Sequence, residues 1–141
     1  MVRTYSRVLD RLKAAKLRPT RQRLALAKLL LENEHRHITA EELFHEARAV
    51  GINVSLATVY NALHQFTSAG LLKEVVVDLG QSYFDTNTSH HHHFFDESTG
   101  KLSDIPEDHV EIKRLPMPPS GRAIDRVEVI VRLRSADSPS D

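Results

Sequence analysis

The stretch that decides the fold of this chain is residues 55–70, which read SLATVYNALHQFTSAG. Its apolar residues recur at helical spacing and share one side of a helix: Leu56, Val59, Tyr60, Leu63 and Phe66. Ser55 is a good N-cap and Gly70 a good C-terminal stop. The spacing therefore predicts a helix from Leu56 to about Ala69.

The opposite face of this predicted helix has small or hydrogen-bonding residues and no acidic one: Ala57, Thr58, Asn61, Gln65 and Ser68. A helix that enters the major groove of DNA needs such a face, because bulky or negative groups would meet phosphate. Asn61 and Gln65 could each pair bidentately with adenine. The helix alone does not distinguish a DNA-reading face from an ordinary solvent-facing one.

The segments before and after this helix favour a DNA-reading face over an ordinary solvent-facing one. Upstream, the pattern predicts a basic helix over 6–16, a second helix over 21–32 capped by Thr20, and a third over 40–50. Thr39 and Glu42 form a capping-box pattern, and Gly51 ends the third helix. Downstream, strands over 72–78 and 82–85 form a hairpin. This order is that of a winged helix-turn-helix, with the fourth helix in the groove and the hairpin near flanking phosphate.

Charge is distributed unevenly along the 141 residues, although the formal net charge is zero. Residues 1–80 hold 12 Lys+Arg against 8 Asp+Glu, and residues 81–141 hold 7 against 11. The first 28 residues carry nine basic side chains against Asp10 alone. Such an asymmetry indicates a polyanionic partner for the N-terminal part, in agreement with DNA binding.

Composition excludes several classes of protein. The chain has no cysteine, which excludes disulfides, a four-cysteine structural zinc site and cysteine catalysis. No stretch approaches the roughly 20 apolar residues that span a bilayer, and the N-terminus lacks the apolar core of a signal peptide. We therefore expect a cytoplasmic protein without membrane contact.

Four consecutive histidines, His90 to His93, are the main concentration of metal-ligand chemistry. In an extended strand, successive side chains point to opposite faces. His91 and His93 then share one face, and His90 and His92 share the other. The alternative is a polar turn that is rich in histidine by chance.

The last sixty residues predict a small α/β domain. Strands over 90–96 and 101–105 bracket a tight turn, and a short helix over 106–115 follows. Residues 124–134 alternate as in a half-buried strand, and 135–141 form a disordered tail. So few elements cannot bury much apolar surface, but two copies could pair and would place two recognition helices against a two-fold DNA site. The predicted class is α+β: a winged-helix DNA-binding domain over 1–86, then an α/β dimerisation and ligand-sensing domain over 87–134.

Three motifs resemble the ferric uptake regulator (Fur) superfamily: LRPTRQR at 17–23, ITAEELF at 38–44, and above all LATVYNAL at 56–63. The histidine run lies where that superfamily keeps its His-rich metal motif. The resemblance covers about residues 5–134 and is strongest to the iron response regulator (Irr) branch, on the consecutive histidines, the two following phenylalanines and GRAID at 121–125. It implies a homodimeric, metal- or haem-responsive transcription factor that binds double-stranded DNA at a roughly palindromic operator.

The resemblance also implies functional residues. The superfamily's regulatory metal site is matched here by residues from both predicted domains: His37, Asp85, His91, His93 and Asp104. A second superfamily site would use His90 or His92 with Glu111, but a later histidine that completes it has no counterpart. The set expected at the DNA is Arg18, Arg21, Arg23, Ser55, Ala57, Thr58, Tyr60, Asn61 and Gln65.

The resemblance has further implications for three residues of that DNA-binding set. Many relatives have arginine where this chain has Asn61, so a different DNA preference is expected. Arg23 matches a position that reaches into the minor groove, and Tyr60 matches one that contacts thymine or backbone. Tyr60 also fits the apolar stripe of the helix, so a structural role for it stays open.

The Irr branch implies control of iron and haem genes by haem, which would bind here through His91, His92 and His93. The expected ligands are therefore haem or Fe²⁺, with Mn²⁺ or Zn²⁺ possible.

The first alternative is a Fur- or PerR-type regulator that responds directly to Fe, Mn or Zn. A metalloenzyme with Asp96 or Glu97 as general base is a second alternative, and a histidine-rich storage module a third. Because no nucleophile motif or phosphate-binding loop is present, we expect no enzyme.

Overall fold

The structure is a computed structural model that describes residues 2–32, 35–78 and 80–137, with only the backbone described for residues 2–6. The chain divides into two compact units, residues 1–88 and 89–141. The sequence suggested a boundary after residue 86. The predicted disordered tail over 135–141 lies outside the described residues from residue 138 onward.

The first unit contains helices and a small antiparallel sheet in the order of a winged helix. The helices are α1 (Val2–Ala14), α2 (Arg21–Leu31), α3 (Ala40–Ala49) and α4 (Leu56–Ser68). The strands are β1 (His37–Ile38), β2 (Lys73–Asp78) and β3 (Gln81–Asp85). They lie in the order β1-β3-β2, so the hairpin β2–β3 is the wing and β1 adds to its inner edge.

The helix boundaries follow from local hydrogen bonds that the sequence predicted. Thr20 caps α2 by accepting from the Arg23 N–H, and Ser55 caps α4 by accepting from the Thr58 N–H. Both halves of the capping box of Thr39 and Glu42 are formed. Each bond satisfies a backbone donor that the first turn of a helix leaves without a partner. The predicted caps are thus confirmed.

The core of the first unit lies between the helices and the inner face of the wing. Its largest fully buried side chains come from all four helices, β1 and the wing: Leu12, Leu26, Leu30, Leu43, Val59, Leu63, Phe66, Ile38 and Phe84. The predicted apolar stripe of α4 is confirmed, with Tyr60 half-buried at its edge. On α2, Leu26 is fully buried, whereas Leu31 at its end is only half-buried.

The second unit is a three-stranded sheet in the order β5-β4-β6. The predicted hairpin is present as β4 (His92–Asp96) and β5 (Lys101–Ile105), paired antiparallel. The final strand, β6 (Ile130–Leu133), pairs parallel to β4. Phe95, Leu102 and Ile105 are buried, which is a small apolar core.

Two predictions in the second unit differ from the structure: the helix is absent, and the last strand is present but shorter. The helix expected over 106–115 is one 3₁₀ turn, Glu107–His109, after which Val110 is extended (φ −122°, ψ 120°). No side chain caps this turn, and residues 111–117 are exposed. A longer helix would therefore gain neither a capping hydrogen bond nor a buried apolar face within the described part of the chain. The strand expected over 124–134 is only four residues long, because it is a strand only where it pairs with β4.

None of the described helices is long and apolar enough to cross a membrane.

Candidate functional site

The exposed face of α4 lies beside the start of α2, and a cleft separates them. The residues that line this cleft are Thr20, Gln22, Arg23, Leu26, Thr58, Asn61, Ala62 and Gln65. Arg23 crosses it: the Nε of Arg23 donates to the Gln65 Oε1 at 3.0 Å, and its Nη1 donates to the carbonyl of Arg18 at 2.9 Å. The predicted DNA-binding residues Arg18, Arg23, Asn61 and Gln65 are therefore brought together, with Asn61 and Gln65 exposed.

The other predicted DNA-binding residues lie on the same two helices. Arg21 and Ala57 are exposed, and Ser55 and Thr58 engage each other through their hydroxyls at 2.9 Å. Tyr60 donates its hydroxyl to the Glu41 Oε1 at 2.7 Å, and this hydrogen bond, with a smaller effect of burial, raises the pKa of Tyr60. Sequence reasoning missed Glu41, because position 41 carried no signal beyond an ordinary acidic first turn of α3.

One His–carboxylate group lies in the first unit, where β1 meets β3. His37 and Asp85 are paired across the two strands, with the His37 Nε2 3.2 Å from the Asp85 Oδ2. Asp85 is fully buried, and its Oδ1 accepts from the Asn87 N–H at 2.9 Å. A buried carboxylate needs such partners, because desolvation makes an unpaired one costly.

Arg36 holds this pair of strands in place, although sequence reasoning did not single it out. Its N–H donates to the Thr86 hydroxyl at 2.8 Å, and its carbonyl accepts from the Thr86 N–H at 3.0 Å. Its guanidinium forms a bidentate ion pair with Glu46 and also donates to the carbonyl of Leu29. Arg36 thus joins the end of α2, the side of α3 and the end of β3 around the His37 backbone.

A second His–carboxylate group lies in the second unit. The alternation predicted for the histidine run is confirmed: the rings of His91 and His93 lie 4.5 Å apart, and those of His90 and His92 lie 5.2 Å apart. The Nε2 atoms of His91 and His93 converge on the Asp104 Oδ1, at 3.0 and 3.5 Å. Both rings are buried, and Asp104 is partly exposed.

The His91 ring is fixed in the orientation that a metal ligand needs. Its Nδ1 lies 2.7 Å from the carbonyl of Ser89, which can only accept, so Nδ1 carries the proton. In the neutral ring the Nε2 lone pair then faces Asp104. Two electron-rich atoms at 3.0 Å require a proton or a cation between them, and an imidazole oriented by a carbonyl is the usual arrangement of a metal-ligating histidine.

His90 and His92 use their rings differently. The His90 Nδ1 lies 3.1 Å from the Glu107 Oε1, and its Nε2 donates to the carbonyl of Val127 at 3.2 Å. The His92 Nδ1 accepts from the Val129 N–H at 3.0 Å, so the proton of the neutral ring lies on Nε2. Burial, and then the neighbouring His90, lower the pKa of His92. Both rings therefore connect residues 127–129 to the histidine run at the start of β4.

The second metal site suggested by the resemblance is not assembled. The carboxylate beside His90 is that of Glu107, whereas Glu111 is exposed. Among the described residues, no group of three potential ligands contains His90, His92 or Glu111.

The chain is similar to proteins of one family throughout most of its length. The sequence profile of the "Ferric uptake regulator family" matches residues 14–120. A ferric uptake regulation protein of Shigella flexneri is 35% identical over 104 residues, which are 73% of this chain and 70% of that protein. A peroxide-responsive repressor, PerR, of Staphylococcus aureus is 37% identical over 105 residues, 74% of this chain and 70% of that protein.

The fold agrees with these sequence matches. The structure of the ferric uptake regulator of Pseudomonas aeruginosa with manganese superposes with a TM-score of 0.69 and 25% identity, covering 90% of this chain and 96% of that one. The regulators of this family are DNA-binding transcription regulators and not enzymes. On sequence, on the winged-helix fold of its first unit and on the small three-stranded sheet of its second unit, the chain belongs to the ferric uptake regulator family.

Proposed function

We propose that this chain is a homodimeric transcription regulator whose DNA affinity depends on one divalent metal ion. The ion would be held jointly by the two His–carboxylate groups: His37 and Asp85 from the first unit, and His91, His93 and Asp104 from the second. The observation that carries the proposal is that each group already has its ligand atoms converged within its own unit. In the second unit, the ligand atoms of the two histidines and Asp104 all lie within 4.8 Å of one another.

The donor atoms suit a first-row transition metal. Three imidazole nitrogens and two carboxylates are ligands that Fe²⁺, Mn²⁺ and Zn²⁺ accept, whereas the thiolates that select softer sites are absent. Neither group alone supplies four protein side-chain ligands, whereas the two groups together supply five. The ion would supply positive charge that neutralises Asp85 and Asp104, and shared ligation would link the ligand-sensing unit to the DNA-binding unit.

DNA recognition would follow the geometry of a winged helix. α4 would enter the major groove with Asn61 and Gln65 toward base edges, and Arg18, Arg21 and Arg23 would contact phosphate or the minor groove. Two copies, joined through their second units, would present two such helices to a two-fold operator.

The relatives support a response to metal, and the metal titration described below determines which ion this chain uses. The Pseudomonas aeruginosa regulator carries manganese in its structure. The DNA-binding domains of the Vibrio cholerae regulator, which has 26% identity and a TM-score of 0.69, undergo structural rearrangement. A rearrangement of that kind is what shared metal ligation could control in this chain.

The test is a DNA mobility shift during a metal titration. The probe is the duplex that metal-loaded wild type selects from a random-sequence pool, and Fe²⁺, Mn²⁺ and Zn²⁺ are titrated separately. We expect the productive metal to tighten or weaken DNA binding about 5- to 150-fold, the usual range of coupling between two sites. His91→Ala/His93→Ala should abolish this dependence, whereas His109→Ala, an exposed histidine outside the groups, should keep it. Equal affinity with and without every metal would contradict the proposal.

A narrower proposal, control of iron and haem genes by haem itself, rests on the run of histidines followed by Phe94 and Phe95. His91, His92 and His93 are each at most 6% exposed, so haem ligation would require this end of β4 to open. Haem titration should give a coordinated-haem absorption band that disappears in the triple His→Ala variant of residues 91–93. A band that is unchanged in that variant would rule out this stretch as the haem site.

A further inference from the structure

We infer that Gln65 is a positioning residue for Arg23, and that Asn61 is the amide of α4 that reads bases. This inference deepens the proposed DNA binding and rests on it. The sequence presented Asn61 and Gln65 as equivalent, four residues apart on one exposed face. The structure shows that their side chains have different partners.

The Arg23 guanidinium is held at two points. Its Nε donates to the Gln65 Oε1 and its Nη1 to the carbonyl of Arg18, at 3.0 and 2.9 Å. A guanidinium has five N–H donors, so three remain for a further acceptor. Gln65 therefore fixes the direction of a cation that keeps most of its donors.

The charge of Arg23 stands without a carboxylate partner in the part of the chain that the structure describes. No acidic side chain lines the cleft between α2 and α4, and within the described ranges Arg23 forms no ion pair. A half-buried, oriented and uncompensated guanidinium is suited to a DNA phosphate or to the negative potential of a minor groove.

The same contact engages the oxygen of the Gln65 amide. A bidentate pair with adenine needs the amide oxygen free to accept from the base N6 and the amide nitrogen to donate to N7. In Gln65 the oxygen is directed toward α2 by Arg23 and uses one of its two lone pairs there, which turns the amide away from a bidentate pair with one base. The exposed Asn61 amide forms no hydrogen bond to the described part of the chain, so both its atoms remain free for base edges.

The alternative is that Arg23 and Gln65 only join α2 to α4 and stabilise the unit. A purely structural contact would change stability without changing how binding depends on salt or on base sequence. Salt dependence counts the phosphates that a protein neutralises, because each contact releases counterions.

The experiment is a double-mutant cycle on metal-loaded protein with Gln65→Met, Arg23→Met and the double variant. Gln65→Ala is a second variant that removes the Gln65 amide. The probes are the duplex selected by wild type and versions of it with single base-pair changes. Affinity is measured at several salt concentrations, and melting temperatures are measured alongside. DNA binding by the wild type tests the proposed function, whereas the variants test this inference. A failure of one is therefore distinguishable from a failure of the other.

We expect Gln65→Met to weaken binding about 2- to 12-fold, as for the loss of one net hydrogen bond, and by the same factor on every probe. The slope of log K against log salt should fall by up to about 0.9. In the Arg23→Met background, Gln65→Met should cause no further loss. The inference is overturned if Gln65→Met changes preference at one base pair, if its full effect persists without Arg23, or if melting temperature falls while affinity and salt slope stay unchanged.

Discussion

At the scale of single residues, the adjacent histidines His91 and His92 carry their protons on opposite nitrogens. His91 donates from Nδ1 to the carbonyl of Ser89, which leaves its Nε2 as the ligand atom. His92 accepts at Nδ1 from the Val129 N–H, which places its proton on Nε2. A neutral imidazole has one donor and one acceptor nitrogen, so these partners decide which ring can bind a metal without rearrangement.

The residue-scale prediction concerns base reading by Asn61. We expect Asn61→Ala to cost about 1–3 kcal/mol of binding free energy on the selected duplex and to relax base preference at one position, because a bidentate amide–base pair is lost. Mobility shifts with single base-pair variants measure this. Ser68→Ala, on the exposed side of the same helix but outside the cleft, is the matched control. Uniform weakening on all sequences would make Asn61 a phosphate contact.

At the scale of elements, β4 is the centre of the second unit. It pairs antiparallel with β5 and parallel with β6, and the histidine run that leads into it places a different histidine pair on each side. One pair faces Asp104, and the other pair fastens the chain that leads into β6. β6 itself has only four residues, so its attachment depends on contacts beyond its own ladder.

The element-scale prediction follows from the His92 contact. We expect His92→Leu to lower the free energy of unfolding by about 1–3 kcal/mol, because the half-buried Val129 N–H loses its acceptor. Urea unfolding of metal-free protein measures the cost, and hydrogen exchange of the Val129 amide locates it. His109→Leu, at an exposed position, is the control. Unchanged protection of Val129 would show that His92 does not hold β6.

At the scale of the whole molecule, several large apolar side chains of the second unit are exposed to water. Its exposed large apolar side chains are Ile112, Leu115, Met117, Ile124, Val131 and Leu133. The strand that was predicted to be half-buried thus presents Val131 and Leu133 at 37% and 36% exposure. Val131 and Leu133 lie two residues apart on β6, and we expect this strand to form part of an interface with a second copy, the partner that the proposed two-fold operator requires.

The molecular-scale prediction is that Val131→Asp converts dimer to monomer, because a carboxylate in an apolar interface is desolvated without a partner. Sedimentation equilibrium measures the change, and affinity for the two-fold duplex should fall with it. Val76→Asp, at a valine 58% exposed in the first unit, should leave the dimer intact. A Val131→Asp protein that remains dimeric would place the interface elsewhere.

The sequence by itself determined the features that depend on neighbours within about four residues. The caps of Thr20, Thr39 and Ser55 and the alternation of the histidines were all predicted, because each depends on local backbone hydrogen bonds or on the two-residue repeat of a strand. The apolar stripe of α4 was predicted for the same reason. Family membership was also readable, because its motifs are short contiguous stretches.

Only the tertiary structure decided which side chains are available for function. Gln65 meets Arg23 across 42 residues, His92 meets Val129 across 37, and Arg36 meets Thr86 across 50. The failed helix over 106–115 and the short β6 have the same origin, since each element extends only as far as it finds something to pack or pair with. Periodicity shows which face of an element is apolar, but the partner that occupies a polar atom is set by how distant segments meet.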